Sequence, residues 1–156
     1  MKIGNRSLDL TFMEYLAVPG TDIVFHIKPL TKSDREEFDR ICPRPVPQKR
    51  VYADGRVEDA KDDKSYEDAL TAYSEARLSY MIVKGLLATP GLEFETVNIA
   101  DPSTYRNWES ELEKAGFSEL IINLIVNKTM VVNQLSEAKI KEATDAFLAG
   151  KAAAQS

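Results

Sequence analysis

Apolar residues along this chain first recur with a period of two. Ile23, Phe25 and Ile27 fall on one face, with Val24, His26 and Lys28 opposite, and Leu8, Leu10, Phe12 and Tyr15 alternate loosely ahead of them. That is the period of a half-buried strand. Val18-Pro19-Gly20-Thr21-Asp22 supplies turn residues between the runs and Pro29 ends the second. The pattern predicts an antiparallel hairpin over residues 8–28.

From Thr31 the period becomes helical. Thr31 with Asp34 three residues on reads as an N-terminal cap and predicts a helix over 32–41, with Phe38 and Ile41 inward. Cys42-Pro43-Arg44-Pro45-Val46-Pro47 ends it, because proline lacks the backbone donor. An exposed, proline-rich and charged loop is expected over 43–64, with Asp54-Gly55 turning a short hairpin inside it.

Ser65 with Asp68 again resembles a cap, and a long helix is expected to about Ala88. Its apolar positions Tyr66, Ala69, Tyr73, Ala76, Tyr80, Val83 and Leu87 alternate by three and four, a seam of two positions per heptad. Pro90-Gly91 closes it. Asp101-Pro102 predicts the next helix, which carries Tyr105, Trp108 and Leu112 and stops at Gly116. Ser118 opens another with Ile121, Leu124, Ile125, Val131 or Val132, and Leu135. Ser136 opens the last, which carries Ile140, Ala143 and Phe147 and ends at Gly150, leaving 151–156 as a flexible tail. The expected fold is mainly α: an N-terminal hairpin over 8–28, then a bundle of about five helices, the first at 32–41 and the rest over 65–150, in a single domain spanning 1–150.

Composition narrows the function more than the fold. The 156 residues are 44% apolar and 29% charged, with 20 Lys and Arg against 25 Asp and Glu and a net charge of -5. That balance disfavours nucleic acid as a partner. His26 and Cys42 are the sole residues of their types, which excludes an intrachain disulfide and a Cys/His zinc site. His26 lacks a nucleophile to serve and reads as a solvent-facing strand residue. Cys42 follows a helix C-terminus, where the dipole opposes a thiolate, and reads as a half-buried packing thiol. The acidic run Glu58, Asp59, Asp62, Asp63, Glu67 and Asp68 lacks calcium-loop spacing, since Arg50 and Tyr52 hold the first ligand places before Asp54 and Gly55. Phosphate loops, metalloprotease helices and nucleophile elbows are absent. No catalytic, cofactor or metal residue is expected, and an enzyme is disfavoured.

The chain starts without a signal-like apolar stretch, and Leu120 to Val126 is too short to span a bilayer, so a cytoplasmic protein without membrane contact is expected. Surfaces are left as the functional parts. Arg44, Lys49, Arg50 and Arg56 form a basic patch beside the prolines, either a protein-contacting loop or a solvated one. Tyr66, Tyr73 and Tyr80 share one helical seam, either an interface or packing for the bundle. Ile121, Leu124 and Ile125 give a second candidate partner face.

Several segments resemble a known family. Leu86-Leu87-Ala88-Thr89-Pro90-Gly91-Leu92-Glu93-Phe94, Asp101-Pro102-Ser103-Thr104-Tyr105-Arg106-Asn107-Trp108 and Glu111-Leu112-Glu113-Lys114-Ala115-Gly116-Phe117-Ser118 resemble tail assembly chaperones of long-tailed, siphovirus-type bacteriophages. The closing Leu135-Ser136-Glu137-Ala138-Lys139-Ile140 to Phe147-Leu148-Ala149-Gly150 and the hairpin leading into Pro29-Leu30-Thr31 fit the same pattern. The resemblance implies a small, helical, non-enzymatic protein that binds the tape measure protein, helps recruit tail tube subunits and is absent from the finished virion. Homo-oligomerisation is compatible with it. It also implies a longer product made by ribosomal frameshifting, and Gly150-Lys151 is a dipeptide that slippery codons of that family often encode. Readings outside the family are a virion connector or tail-completion protein, or a small cytosolic adaptor.

Overall fold

A computed structural model describes residues 1–7, 12–133 and 137–155. A two-residue ladder comes first: β1 (Lys2–Ile3) pairs antiparallel with β2 (Arg6–Ser7) across Gly4 and Asn5, both at positive φ. Two successive left-handed residues make the turn that suits a tight hairpin. The sequence pattern did not mark this ladder.

The expected hairpin follows in shorter form. β3 (Glu14–Ala17) pairs with β4 (Val24–Ile27), Leu16 opposite Phe25 and Tyr15 opposite His26. Phe12 precedes β3 as an exposed residue, and Leu8 and Leu10 of the expected strand lie outside the described residues. In the turn, Gly20 takes φ +76 and the Val18 N–H donates to the Ile23 carbonyl (3.0 Å). Leu16, Phe25 and Ile27 are buried, while Tyr15 and His26 meet edge to face on the other side.

α1 (Lys32–Ile41) has the expected bounds, and Thr31 and Asp34 form a reciprocal capping box. Within the following loop β5 (Lys49–Val51) pairs with β6 (Val57–Asp59), every residue exposed, around Gly55 at φ +86. α2 (Lys64–Leu86) is capped by Asp63, whose carboxylate accepts from the Ser65 N–H; the expected Ser65 cap is therefore corrected by two residues. Its buried residues are Ser79, Tyr80, Ile82, Val83, Gly85 and Leu86, all in the second half. The long seam is thus core over its last two turns only, and Leu86 rather than Leu87 faces inward.

The helix expected after Asp101 is split. Pro102–Thr104 forms a 3-10 turn capped by Asp101, and α3 (Asn107–Lys114) follows. The Tyr105 and Trp108 N–H groups bond three residues back, and the two rings enter different apolar clusters. Gly116 at φ +96 stops α3, and the Ser118 hydroxyl accepts from the Ile121 N–H at the start of α4 (Glu119–Asn133).

The larger cluster joins Leu16, Phe25 and Ile27 of the hairpin to α2, Trp108 and Leu112 of α3, and Ile122 and Ile125 of α4. The smaller joins Leu30, Phe38, Tyr80 and Tyr105. α2 approaches β4 very closely: a Cβ on Gly85 would stand 3.1 Å from Ile27 Cγ2 and from the Lys28 carbonyl oxygen. That proximity lets the Lys28 N–H donate to the Gly85 carbonyl (3.3 Å).

α5 (Glu137–Gln155) departs from the expected bundle. Residues 141–154 are all exposed, with Phe147 at 68% and Leu148 at 54%, so Phe147 and Ala143 are not inward-facing. Gly150 is not left-handed and the helix continues through Lys151-Ala152-Ala153-Ala154, where alanines favour it, correcting both the expected stop and the expected fraying tail. Leu135 and Ser136 lie outside the described residues, as does the side chain of Ile140. The chain is mainly α, an N-terminal hairpin followed by helices, and among the described residues no helix is long and apolar enough to cross a membrane.

Candidate functional site

α1 is held on α2 by aromatic packing and a charged clamp. Phe38 lies 5.1 Å from Tyr80 and 5.6 Å from Tyr73 between ring centroids. The buried Tyr80 hydroxyl sits 2.8 Å from the Asp34 carbonyl and 2.9 Å from the Glu37 carboxylate, sharing its proton between them. Lys84 closes the set at 3.0 Å from Glu37 and 3.7 Å from Asp34. The Lys84 ammonium and the Tyr80 hydroxyl hold the Glu37 carboxyl below its ordinary value. Burial opposes ionisation of Asp34, but the Thr31 cap bonds and Lys84 outweigh it and lower its pKa. Burial and the neighbouring Glu37 push the Tyr80 phenol up, and burial pushes Tyr105 up to about 12.

Beside this clamp α1, the proline segment after it and α2 leave an open groove. It consists of two adjoining hollows of about 470 and 490 Å3 that share Arg44, Tyr73 and Arg77. The first is walled by Arg35 and Asp39 of α1; the second is floored by Leu70, Leu78, Met81 and Met130. Arg35, Arg44 and Arg77 are exposed, and among the described residues none of their guanidinium groups is in an ion pair or hydrogen bond. Each arrives from a different part of the chain. Three cations against the single carboxylate of Asp39 make the groove positive in a chain of net charge -5.

The candidate partner residues separate accordingly. Arg44 and Tyr73 are brought together at the groove. Tyr66 is half-buried higher on α2. Tyr80, Ile121 and Ile125 are buried in the core and are corrected as surface candidates: their faces are used by α1, the hairpin and the rest of the bundle. Leu124 is half-buried and packs on the same core. Lys49 and Arg50 are spent within their own surroundings, on Asp59 and on Asp62 (3.0 Å), as Arg56 is on Asp54 (2.8 Å). The basic loop is therefore largely self-neutralised. Arg35, Arg77, Met81 and Met130 were not marked by the sequence pattern, although Leu70, Ser74, Arg77, Leu78 and Met81 recur at helical spacing as a stripe that meets the tyrosine seam at Tyr73.

Among the described residues His26 and Cys42 do not come together. His26 faces Tyr15, and Cys42 is a half-buried thiol whose pKa is raised by burial against the smaller cluster. Among the described residues no group of three or more His, Cys, Asp or Glu is placed to hold a metal ion. A further hollow of about 570 Å3 lies between β4, the 89–96 connection and α3. On its wall one Glu111 carboxylate oxygen accepts from the Glu95 N–H, while the other is buried without a hydrogen-bond partner among the described residues. Compared with family models, curated proteins and solved structures, the chain matches none.

Proposed function

We propose that this chain is a tail assembly chaperone of a long-tailed bacteriophage, a non-enzymatic protein that binds the tape measure protein and assists tail tube assembly. The reading places it in the host cytoplasm and outside the finished virion. The observation that carries it is the open groove around Tyr73, an apolar floor whose rim arginines have no ion-pair partner among the described residues. A carrier of apolar helices needs such a surface together with enough charge to stay dispersed. The exposed Phe147 and Leu148 of α5 add a second contact surface. A frameshifted product would leave the present chain from within a continuous helix at Gly150-Lys151.

Co-expression with the tape measure protein of a long-tailed phage that carries this chain tests the reading: the two should co-purify, and mass spectrometry of purified particles should find this chain missing. A chain present in particles at stoichiometric level overturns the chaperone reading in favour of a connector or tail-completion protein. Failure to co-purify, with no particle association, favours a small adaptor.

A further inference from the structure

We propose that the groove between α1 and α2 takes an acidic amphipathic helix, its apolar side on Tyr73, Leu70, Met81 and Met130 and its carboxylates on Arg35, Arg44 and Arg77. This rests on the reading of the chain as a carrier of helical clients and names the kind of segment that this site selects.

The floor and the rim specify different halves of the ligand. Leu70, Tyr73, Leu78 and Met81 follow one stripe of α2, and Met130, 37% exposed, extends the floor onto α4. Unbranched thioethers adapt to varied apolar side chains, the property of grooves that accept many helices. An apolar face laid there removes Tyr73 and Met130 from water.

The rim then selects charge. Guanidinium groups present a planar fork that pairs two-to-two with a carboxylate. Among the described residues Arg35, Arg44 and Arg77 have no ion-pair partner, whereas Lys49, Arg50 and Arg56 do. A basic helix would set like charges against three arginines with Asp39 alone to relieve them. A nucleic acid strand fits less well. Its phosphates continue beyond the groove over a chain of net charge -5, and of the rings lining the groove Phe38 is buried and Tyr73 half-buried, which leaves little for a base to stack on.

Fluorescence anisotropy on the full chain tests this with a labelled helical peptide of about five turns carrying leucine on one face and glutamate on both flanks. Its counterpart with lysine for every glutamate is the control. The glutamate peptide should bind at least about tenfold more tightly than the lysine peptide. Arg44→Glu combined with Arg77→Glu should reverse that order. Arg44→Gln with Arg77→Gln should fall between, and unchanged thermal melting would show that both variants are folded. Equal binding of the two peptides, or a preference that survives the charge reversal in a folded variant, overturns the proposal. So does a single-stranded oligonucleotide that binds more tightly than the glutamate peptide and displaces it. If the peptide behaves as stated but the tape measure protein does not co-purify, the chaperone reading fails and the groove assignment stands. If the tape measure protein co-purifies equally well with the charge-reversed variant, the groove assignment fails and the chaperone reading stands.

Discussion

The Thr89 hydroxyl pairs with both backbone groups of His26: its oxygen accepts from the His26 N–H (2.9 Å) and its hydrogen is donated to the His26 carbonyl (3.1 Å). One side chain just beyond α2 thus satisfies the free edge of β4, the place where an unpaired strand would otherwise offer itself to another chain. Thr89→Val keeps the shape and removes both bonds. It should lower unfolding free energy by about 1–3 kcal/mol, while Thr89→Ser should retain most of it. Urea denaturation of the three chains checks this; equal stability of Val and Thr would show that the edge needs no such partner.

Gly85 is the other device that seats the hairpin on α2. Alanine is the better helix former by about 1 kcal/mol. Its Cβ, however, would stand 3.1 Å from a backbone oxygen and from Ile27, in a core already filled. Overpacking of about 1–3 kcal/mol, as Ile27 and the Lys28 carbonyl shift by a few tenths of an ångström, should outweigh that gain, so Gly85→Ala should destabilise by up to about 2 kcal/mol net. A rise in melting temperature would show that β4 can retreat without loss.

The clamp between α1 and α2 makes stability depend on acid. Glu37 has a folded-state pKa below its ordinary 4.5, chiefly through Lys84 and then Tyr80. Its contribution is complete above that ordinary value and is lost as the pH falls through the depressed one. The Glu37 side chain is about one-third exposed, so solvent screens part of the effect. Glu37→Gln should reduce stability at neutral pH and flatten its decline below about pH 4.5, read from melting temperature against pH.

The tyrosine seam should divide on mutation. Tyr80→Asp buries a charge beside Asp34 and Glu37 and should cost more than about 3 kcal/mol, enough to threaten folding. Tyr73→Asp, at the half-exposed groove, should leave the chain folded and weaken co-purification of the tape measure protein. Circular dichroism separates the two outcomes, and loss of fold in both would place Tyr73 in the core as well.

Local chemistry explains why some features were readable. The Thr31/Asp34 box, the proline stop after Cys42, Asp54-Gly55 and Gly116 act on their own neighbours, and each appears where the pattern puts it. The Tyr66-Tyr73-Tyr80 seam is equally regular, yet periodicity is silent on how far a helix extends past its neighbours, and only the second half of α2 is covered. Gly85 and Thr89 matter through β4, about sixty residues away in the chain, so neither stood out locally. The groove is harder still. Arg44 looked like one member of a basic loop, and only the fold separates it from the self-paired Lys49 and Arg50 and sets it beside Arg35 and Arg77.

Phe147 and Leu148 test whether α5 serves partners or the fold. Both are more than half exposed, and no described side chain between 141 and 154 is buried. Replacing both with serine removes apolar surface that contributes little to the chain's own packing, so unfolding free energy should change by less than about 0.5 kcal/mol. By contrast Ile125→Ala, in the core, should cost about 2–5 kcal/mol. Most helical stability in proteins comes from packing an apolar face, so α5, with Phe147 and Leu148 exposed, gains from a partner that covers those residues. The serine variant should therefore match the parent in denaturation and fall below it in tape-measure co-purification. Loss of stability with binding intact would instead assign the two side chains to the fold.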